Sequence, residues 1–248
     1  MKLRTYTLGS CVVLAAVAAS AQTPATTTPE PEKKPKWESS AGLGLTLTEG
    51  NSRTRQINGS IQTAKKWDRN EINLGADGTY GEDSGDKNAE SLRGYGQYNR
   101  LFTDRTFGYL RLEALHDDIA DIDYRISFSP GIGYYFIKND RTYLRGEVGP
   151  GLIHEKVGGE EDTYMTLRLA ERFEHKLNDR ARIWQSLELL PQVDDWENFI
   201  INAEIGIESD ITKSLSQRTY VQNTYDNEPA PGRRENDLKL VAAIVYKF

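Results

Sequence analysis

The chain closes on "DLKLVAAIVYKF", residues 237–248. One face of this stretch reads Leu238, Leu240, Ala242, Ile244, Tyr246 and Phe248; the other reads Asp237, Lys239, Val241, Ala243, Val245 and Lys247. A period of two puts alternate side chains on opposite faces of a β-strand. The 12 residues are enough to cross a bilayer as a tilted strand, which takes about 9–11.

The pattern recurs upstream. Across 124–136, Tyr124, Ile126, Phe128, Pro130, Ile132, Tyr134 and Phe136 share one face, against Arg125, Ser127, Ser129, Gly131, Gly133 and Tyr135. Residues 199–207 and 72–80 alternate in the same way, and no segment of useful length shows a capped helical stripe. Strands are expected at 38–48, 54–66, 71–81, 89–101, 106–117, 122–137, 142–155, 163–177, 181–193, 199–210, 216–226 and 236–248. Many are far longer than the 5–6 residues or so of an ordinary globular strand.

The connections fall into two alternating sets. Short ones are expected at 67–70, 102–105, 138–141, 178–180 and 211–215. Four of these hold an Asp-Arg pair, beginning at 68, 104, 140 and 179, so a turn returns about every 36 residues. The other set, 49–53, 82–88, 118–121, 156–162, 194–198 and 227–235, is more variable and often acidic. Short turns on one side and longer loops on the other are the asymmetry of an outer-membrane barrel. The expected fold is therefore all-β: a closed, up-and-down antiparallel transmembrane β-barrel of about 12 strands with both termini periplasmic. A soluble periplasmic barrel is the rival. The low mean hydropathy of −0.63 fits the membrane form, because half of each strand faces a polar lumen.

The N-terminus points to export. Lys2 and Arg4 precede an apolar run from Leu8 to Ala19, and Ala19-Ser20-Ala21 has the form of a cleavage site. The expected organisation is a cleaved signal peptide at 1–21, a disordered Pro/Thr-rich periplasmic leader at 22–36 and a barrel at 37–248. Cys11, the only cysteine, sits near the start of the apolar run, where lipidation is not expected. Cleavage would leave no disulfide, no thiolate metal site and no cysteine nucleophile. It would also leave 29 basic against 37 acidic residues, a net charge of −8 that disfavours nucleic acid as a partner.

Aromatic residues gather near the strand ends. Trp37, Trp67, Phe102, Phe107, Phe136, Tyr143, Trp184, Tyr246 and Phe248 are expected in a periplasmic girdle. Tyr80, Tyr124, Tyr164, Trp196, Phe199 and Tyr225 are expected in an outer one. Ile244, Tyr246 and Phe248 form a C-terminal face of the kind expected to be read by the outer-membrane assembly machinery. The glycines of 131–133 and 149–151 precede no helix, so they read as strand glycines that relieve crowding, not as phosphate cradles.

Four stretches, "LTEGNSRT" (47–54), "DIDYRISFSPGIGYYFI" (121–137), "LRGEVGPGLIHEK" (144–156) and "YDNEPAPGRRENDLKLVAAIVYKF" (225–248), resemble the YdiY-like salt-induced outer-membrane protein family. The resemblance runs from about 38 to 248 and implies an outer-membrane β-barrel. It brings no substrate and no catalytic residues.

With apolar positions facing lipid, Arg93, Arg111, Glu113, Arg125, Arg145, Glu147, Arg168 and Glu204 are candidates to line the lumen. Opposite charges on neighbouring strands pair well across a sheet. They would either plug a narrow lumen or line a selective channel. Glu171 interrupts the outward row of its strand. His116 beside Asp117 and Asp118, and His154 beside Glu155, could serve a lipid hydrolase, but no serine lies in a nucleophile motif. No catalytic, cofactor or metal site is therefore assigned. The expected function is a narrow passive channel for small solutes, linked through the resemblance to osmotic or salt stress. The alternative is a closed structural or adhesive barrel working through acidic outer loops. Outer-membrane lipid, lipopolysaccharide and the assembly machinery are the expected partners.

Overall fold

The computed structural model describes residues 36–49, 55–83 and 86–248. The expected signal peptide 1–21, all but Lys36 of the leader 22–36 and nearly all of the first loop lie outside the described residues. Twelve strands follow one another: β1 (Trp37–Glu49), β2 (Arg55–Trp67), β3 (Asn70–Asp83), β4 (Asp86–Leu101), β5 (Thr106–Asp117), β6 (Ile122–Lys138), β7 (Thr142–Val157), β8 (Glu160–Lys176), β9 (Ala181–Pro191), β10 (Phe199–Asp210), β11 (Leu215–Asp226) and β12 (Asn236–Lys247). No helix occurs among the described residues.

Each strand pairs antiparallel with its sequence neighbours, and β12 returns to β1, so the sheet is a closed ring. The seam is continuous from Ser40↔Lys247 to Glu49↔Leu238. One step further, the Phe248 amide donates to the Ser39 carbonyl at 2.9 Å. Closure removes every free edge, and each edge would otherwise expose a row of unpaired amides and carbonyls.

The alternation then sorts side chains. Leu43, Leu45, Ile57, Ile61, Leu110, Leu112, Ile132, Ile205 and Ile244 all stand exposed on the outer wall, Leu43 at 73%. Their neighbours in sequence turn inward, where Gln97, Asn99, Glu147, Thr166 and Arg168 are buried. This is a globular protein inverted, with apolar surface outside and polar surface inside.

Two expected loops are shorter than their sequence suggests. The expected loop 156–162 is absorbed into β7 and β8, leaving only Gly158 and Gly159 between them. Both have positive φ, +60° and +82°, a backbone matched to strand twist and open to glycine. The expected loop 82–88 is likewise taken up largely by β3 and β4. Connections on this side are variable, and not all are long.

The recurring turn is capped by a different residue from the one its sequence advertises. In Asn139-Asp140-Arg141, the Asn139 side-chain oxygen accepts the amides of Arg141 at 3.0 Å and Thr142 at 2.8 Å. Thr103 Oγ1 accepts the amides of Arg105 and Thr106, and Asn178 accepts that of Arg180. Thr212 Oγ1 accepts the amides of Ser214 and Leu215 in the turn that lacks Asp-Arg. In three of the four Asp-Arg turns the cap is the residue before the Asp, and Thr212 caps a fifth turn without the pair; in the remaining one Trp67 precedes Asp68, whose φ is +46°.

The girdles also need correction. Trp37, Phe102, Phe136, Tyr246 and Phe248 are exposed near the end that carries the short turns, and Tyr80 and Trp196 are exposed near the other. Phe107, Trp184 and Tyr164 are buried inside the barrel, and Tyr143 is half-buried against Tyr135. Parity decides this. These four occupy inward positions, and being close to a strand end does not turn them round. The Phe107 ring lies against Gly133 and the Trp184 ring against Gly206, positions where any added Cβ would collide with the ring.

Asn139→Ala is expected to destabilise the refolded barrel by about 1 kcal/mol, the value of a lost side-chain hydrogen bond. Asp140→Ala should be close to neutral. Urea unfolding in lipid vesicles, read from the gel mobility of unheated samples, compares the two.

Candidate functional site

The lumen is where the chain concentrates charge. Arg93 on β4 pairs with Asp77 on β3 at 3.1 Å. Arg111 and Glu113, two residues apart on β5, pair with each other. Glu147 on β7 accepts from Arg168 on β8 at 2.8 Å and lies 3.2 Å from Arg145. Arg168 also reaches Glu188 on β9 at 2.6 Å, so it bridges two strands. Glu204 on β10 accepts from the Trp184 indole at 2.6 Å. Arg125 on β6 pairs with Glu155 on β7 and, at 2.8 Å, with Asp226 on β11.

Several of these contacts join distant strands. β6 and β11 stand five places apart in the ring of twelve, so Arg125–Asp226 crosses the lumen. Lys239 on β12 approaches Asp117 on β5 at 3.6 Å, also five places away. Deeper, the Arg111 side chain comes within 3.9 Å of Glu188, and Gln97 on β4 donates to Glu147 at 2.9 Å. Tyr135 on β6 donates to Glu71 on β3 at 2.7 Å. The lumen is thus spanned at more than one level.

A further tier lies towards the short turns, and it was missed from sequence. Glu208 on β10 meets Arg218 at 2.8 Å, Lys247 at 2.8 Å and Arg182 at 3.1 Å. Arg182 continues to Glu174, which pairs with Arg172. The signal was present: Arg172, Glu174, Arg182, Glu208, Arg218 and Lys247 all occupy inward positions of their strands. Aromatic rings separate the charges. The Arg111 guanidinium sits 5.1 Å from the Tyr95 ring, Arg168 5.2 Å from Tyr109, and Arg182 and Arg218 at 5.8 and 5.9 Å from Trp184.

Around these crossings lies a vestibule of about 1200 Å³, including space open to solvent, whose lining includes Arg125, Asp226, Asp117 and Lys239. Asp77, Arg93, Arg111, Glu113, Glu188 and Arg168 contribute to its lining.

The sequence profile of a protein family of unknown function, DUF481, matches residues 41–248. The chain belongs to the DUF481 family. No curated protein resembles the sequence closely enough to count as a match. Among solved structures, the NanC porin superposes with a TM-score of 0.58 at 6% identity, covering 84% of this chain and 100% of that one. The KdgM porin, solved in complex with disordered oligogalacturonate, gives 0.50 at 9% identity, covering 84% and 99%. The DUF481 barrel therefore has the fold of outer-membrane porins, and at these identities the likeness concerns fold alone.

The histidines lie apart from the lumen charges. His116 Nδ1 meets the Asp123 carbonyl at 2.9 Å and Nε2 meets Asp118 at 3.1 Å. Glu90 joins His116 and Asp118, bringing one potential ligand atom from each within 4.8 Å of the others. His154 contacts Thr163 at 2.8 Å and Tyr124 at 3.3 Å. Among the described residues the hydroxyl partners of His154 are Thr163 and Tyr124, and His116 is held by Asp123 and Asp118. Ile244, Tyr246 and Phe248 all face outward on β12, with the two rings stacked at 6.1 Å.

Glu208→Gln should remove the one carboxylate shared by Arg218, Lys247 and Arg182 and destabilise the barrel by about 3 kcal/mol, the range for breaking a buried ion pair. Urea unfolding at low and high salt measures it. A loss near zero would mean that water, not Glu208, satisfies those cations.

Proposed function

We propose that this DUF481 protein is an outer-membrane β-barrel acting as a narrow passive channel for small solutes. The observation that carries it is a closed ring, apolar outside, around an ionic interior that holds a vestibule. An apolar exterior of this extent needs lipid or a partner to cover it. In this orientation the short turns and both termini of the barrel chain are periplasmic and the variable loops face outward. Export by the N-terminal segment fits that placement. Ile244, Tyr246 and Phe248 would present the C-terminal strand to the assembly machinery, and lipopolysaccharide would flank the outer rim. The link to osmotic or salt stress rests on the family resemblance.

Opposite charges held within hydrogen-bonding reach of one another leave little net field along the lumen, which favours weak ion selectivity. The trans-lumen pairs keep the path small. They also support a second reading, a closed barrel that works through its loops. Neither reading includes covalent chemistry.

Planar-bilayer recording separates the two. The channel reading expects small unitary steps in KCl, with Asp226→Asn raising the conductance by releasing the Arg125 crossing. Silence across several salts, in the wild type and in Asp226→Asn alike, would leave the closed barrel.

A further inference from the structure

Outside the lumen, the rim that carries the variable loops brings a histidine between two carboxylates. In the β4–β5 register Leu92 pairs with His116 and Ser91 with Asp117. One step further Glu90 lies opposite Asp118, and the Asp118 amide donates to the Glu90 carbonyl at 3.0 Å. Leu92 is exposed on the outer wall, so Glu90 and His116 share that outward face. Like charges directly opposite on neighbouring strands repel, and a cation between Glu90 and Asp118 would turn that repulsion into attraction.

The imidazole is oriented for such a cation. Its Nδ1 stands 2.9 Å from the Asp123 carbonyl. A carbonyl only accepts, so Nδ1 carries the proton and donates it. Nε2 turns towards Asp118 Oδ1, 3.1 Å away. In the neutral ring this places a nitrogen lone pair against a carboxylate. Metal-ligating histidines donate their second N–H to a carbonyl or carboxylate in just this way, which fixes tautomer and ring orientation. One ligand atom from each of Glu90, His116 and Asp118 lies within 4.8 Å of the other two. Two ligands on one tetrahedral zinc stand about 3.4 Å apart. His116 and Asp118 are therefore already spaced for it, and a turn of the Glu90 side chain completes the set. A proton on Nε2 would serve Asp118 alone, whereas a dication binds both carboxylates.

The turn that carries Asp118 is held in place. Asp117 Oδ1 accepts the amides of Ile119 and Ala120 at 3.1 and 3.0 Å, and the Asp121 amide donates to the Asp118 carbonyl at 3.3 Å. The His116 and Asp118 side chains are 38% and 40% exposed, which leaves room for water to fill the remaining coordination positions.

We infer that Glu90, His116 and Asp118 form a binding site for a divalent metal ion of the zinc type. One imidazole nitrogen with two carboxylate oxygens suits zinc, whereas calcium and magnesium take oxygen ligands. The ion ties β4 to the β5–β6 turn. The site lies on the outer wall, so it stands whether or not the barrel conducts. His154 offers a comparison on the same rim: its nitrogens meet the Thr163 and Tyr124 hydroxyls at 2.8 and 3.3 Å, and Glu161 stands 3.7 Å away.

Titration calorimetry of zinc chloride into the untagged, chelator-washed protein folded in detergent tests this, and one zinc per chain is expected. His116→Ala should weaken binding by about 100-fold, and Glu90→Gln and Asp118→Asn by about tenfold or more each, since even outer partners of a metal site are worth about 10–100-fold. His154→Ala should leave it unchanged. Calcium and magnesium should bind about 100-fold weaker than zinc or less. X-ray absorption at the zinc edge should show one imidazole among oxygen ligands. Unheated gel mobility confirms that each variant is folded. Absence of stoichiometric zinc, or zinc binding unchanged in folded His116→Ala, overturns the inference. Calcium bound as tightly as zinc overturns it too, and would mean that the rim attracts cations by charge alone.

Discussion

Closure of β12 onto β1 is the interaction on which the rest depends. A twelve-strand sheet with this outer face cannot stop at an edge, because its last row of amides would be left without partners in lipid. Once the seam from Ser40↔Lys247 to Glu49↔Leu238 forms, every strand has two neighbours and the inside becomes a separate compartment. The C-terminal stretch serves this seam in three ways. Its backbone supplies the pairing, Tyr246 and Phe248 face outward, and Lys247 reaches inward to Glu208 and Asp210 at 2.8 and 2.6 Å.

Closure also creates the interior's main problem. Inward-facing arginines and glutamates cannot escape to bulk water, so they must satisfy one another, aromatic faces, or whatever enters. The chain answers with tiers of paired charge separated by rings laid flat against the wall. Glycine opposite Phe107 and Trp184 makes that flat packing possible, leaving room for guanidinium groups beside the rings. The same pairs cross the lumen, so the forces that hold the barrel together also set how wide a path it offers.

Much of this was legible in the alternation alone. Twelve strands, their order of turns and loops, and the parity of Arg93, Arg111, Arg125, Arg145 and Arg168 follow from a period of two. Contacts across the lumen were not legible, because Arg125 and Asp226 lie on strands far apart in sequence and no local period links them. Phe107 and Trp184 misled because closeness to a turn was weighed above inward parity. In three turns the capping atom lies on the residue before the Asp-Arg pair, Thr103, Asn139 or Asn178, so the pair marks the turn without capping it. The inward fold of the loop 227–235 was not legible either, because Ala230 and Pro231 pack close to Gly158, a residue in a different hairpin.

The central claim is an outer wall in lipid and an inner wall of charge on the same strands. Replacing residues 109–114 one at a time by cysteine, in the barrel segment 37–248, which has no cysteine of its own, permits spin labelling along β5 in lipid vesicles. Oxygen accessibility should alternate, high at Leu110, Leu112 and Ala114 and low at Tyr109, Arg111 and Glu113. A flat profile, or one with the opposite phase, would contradict the account.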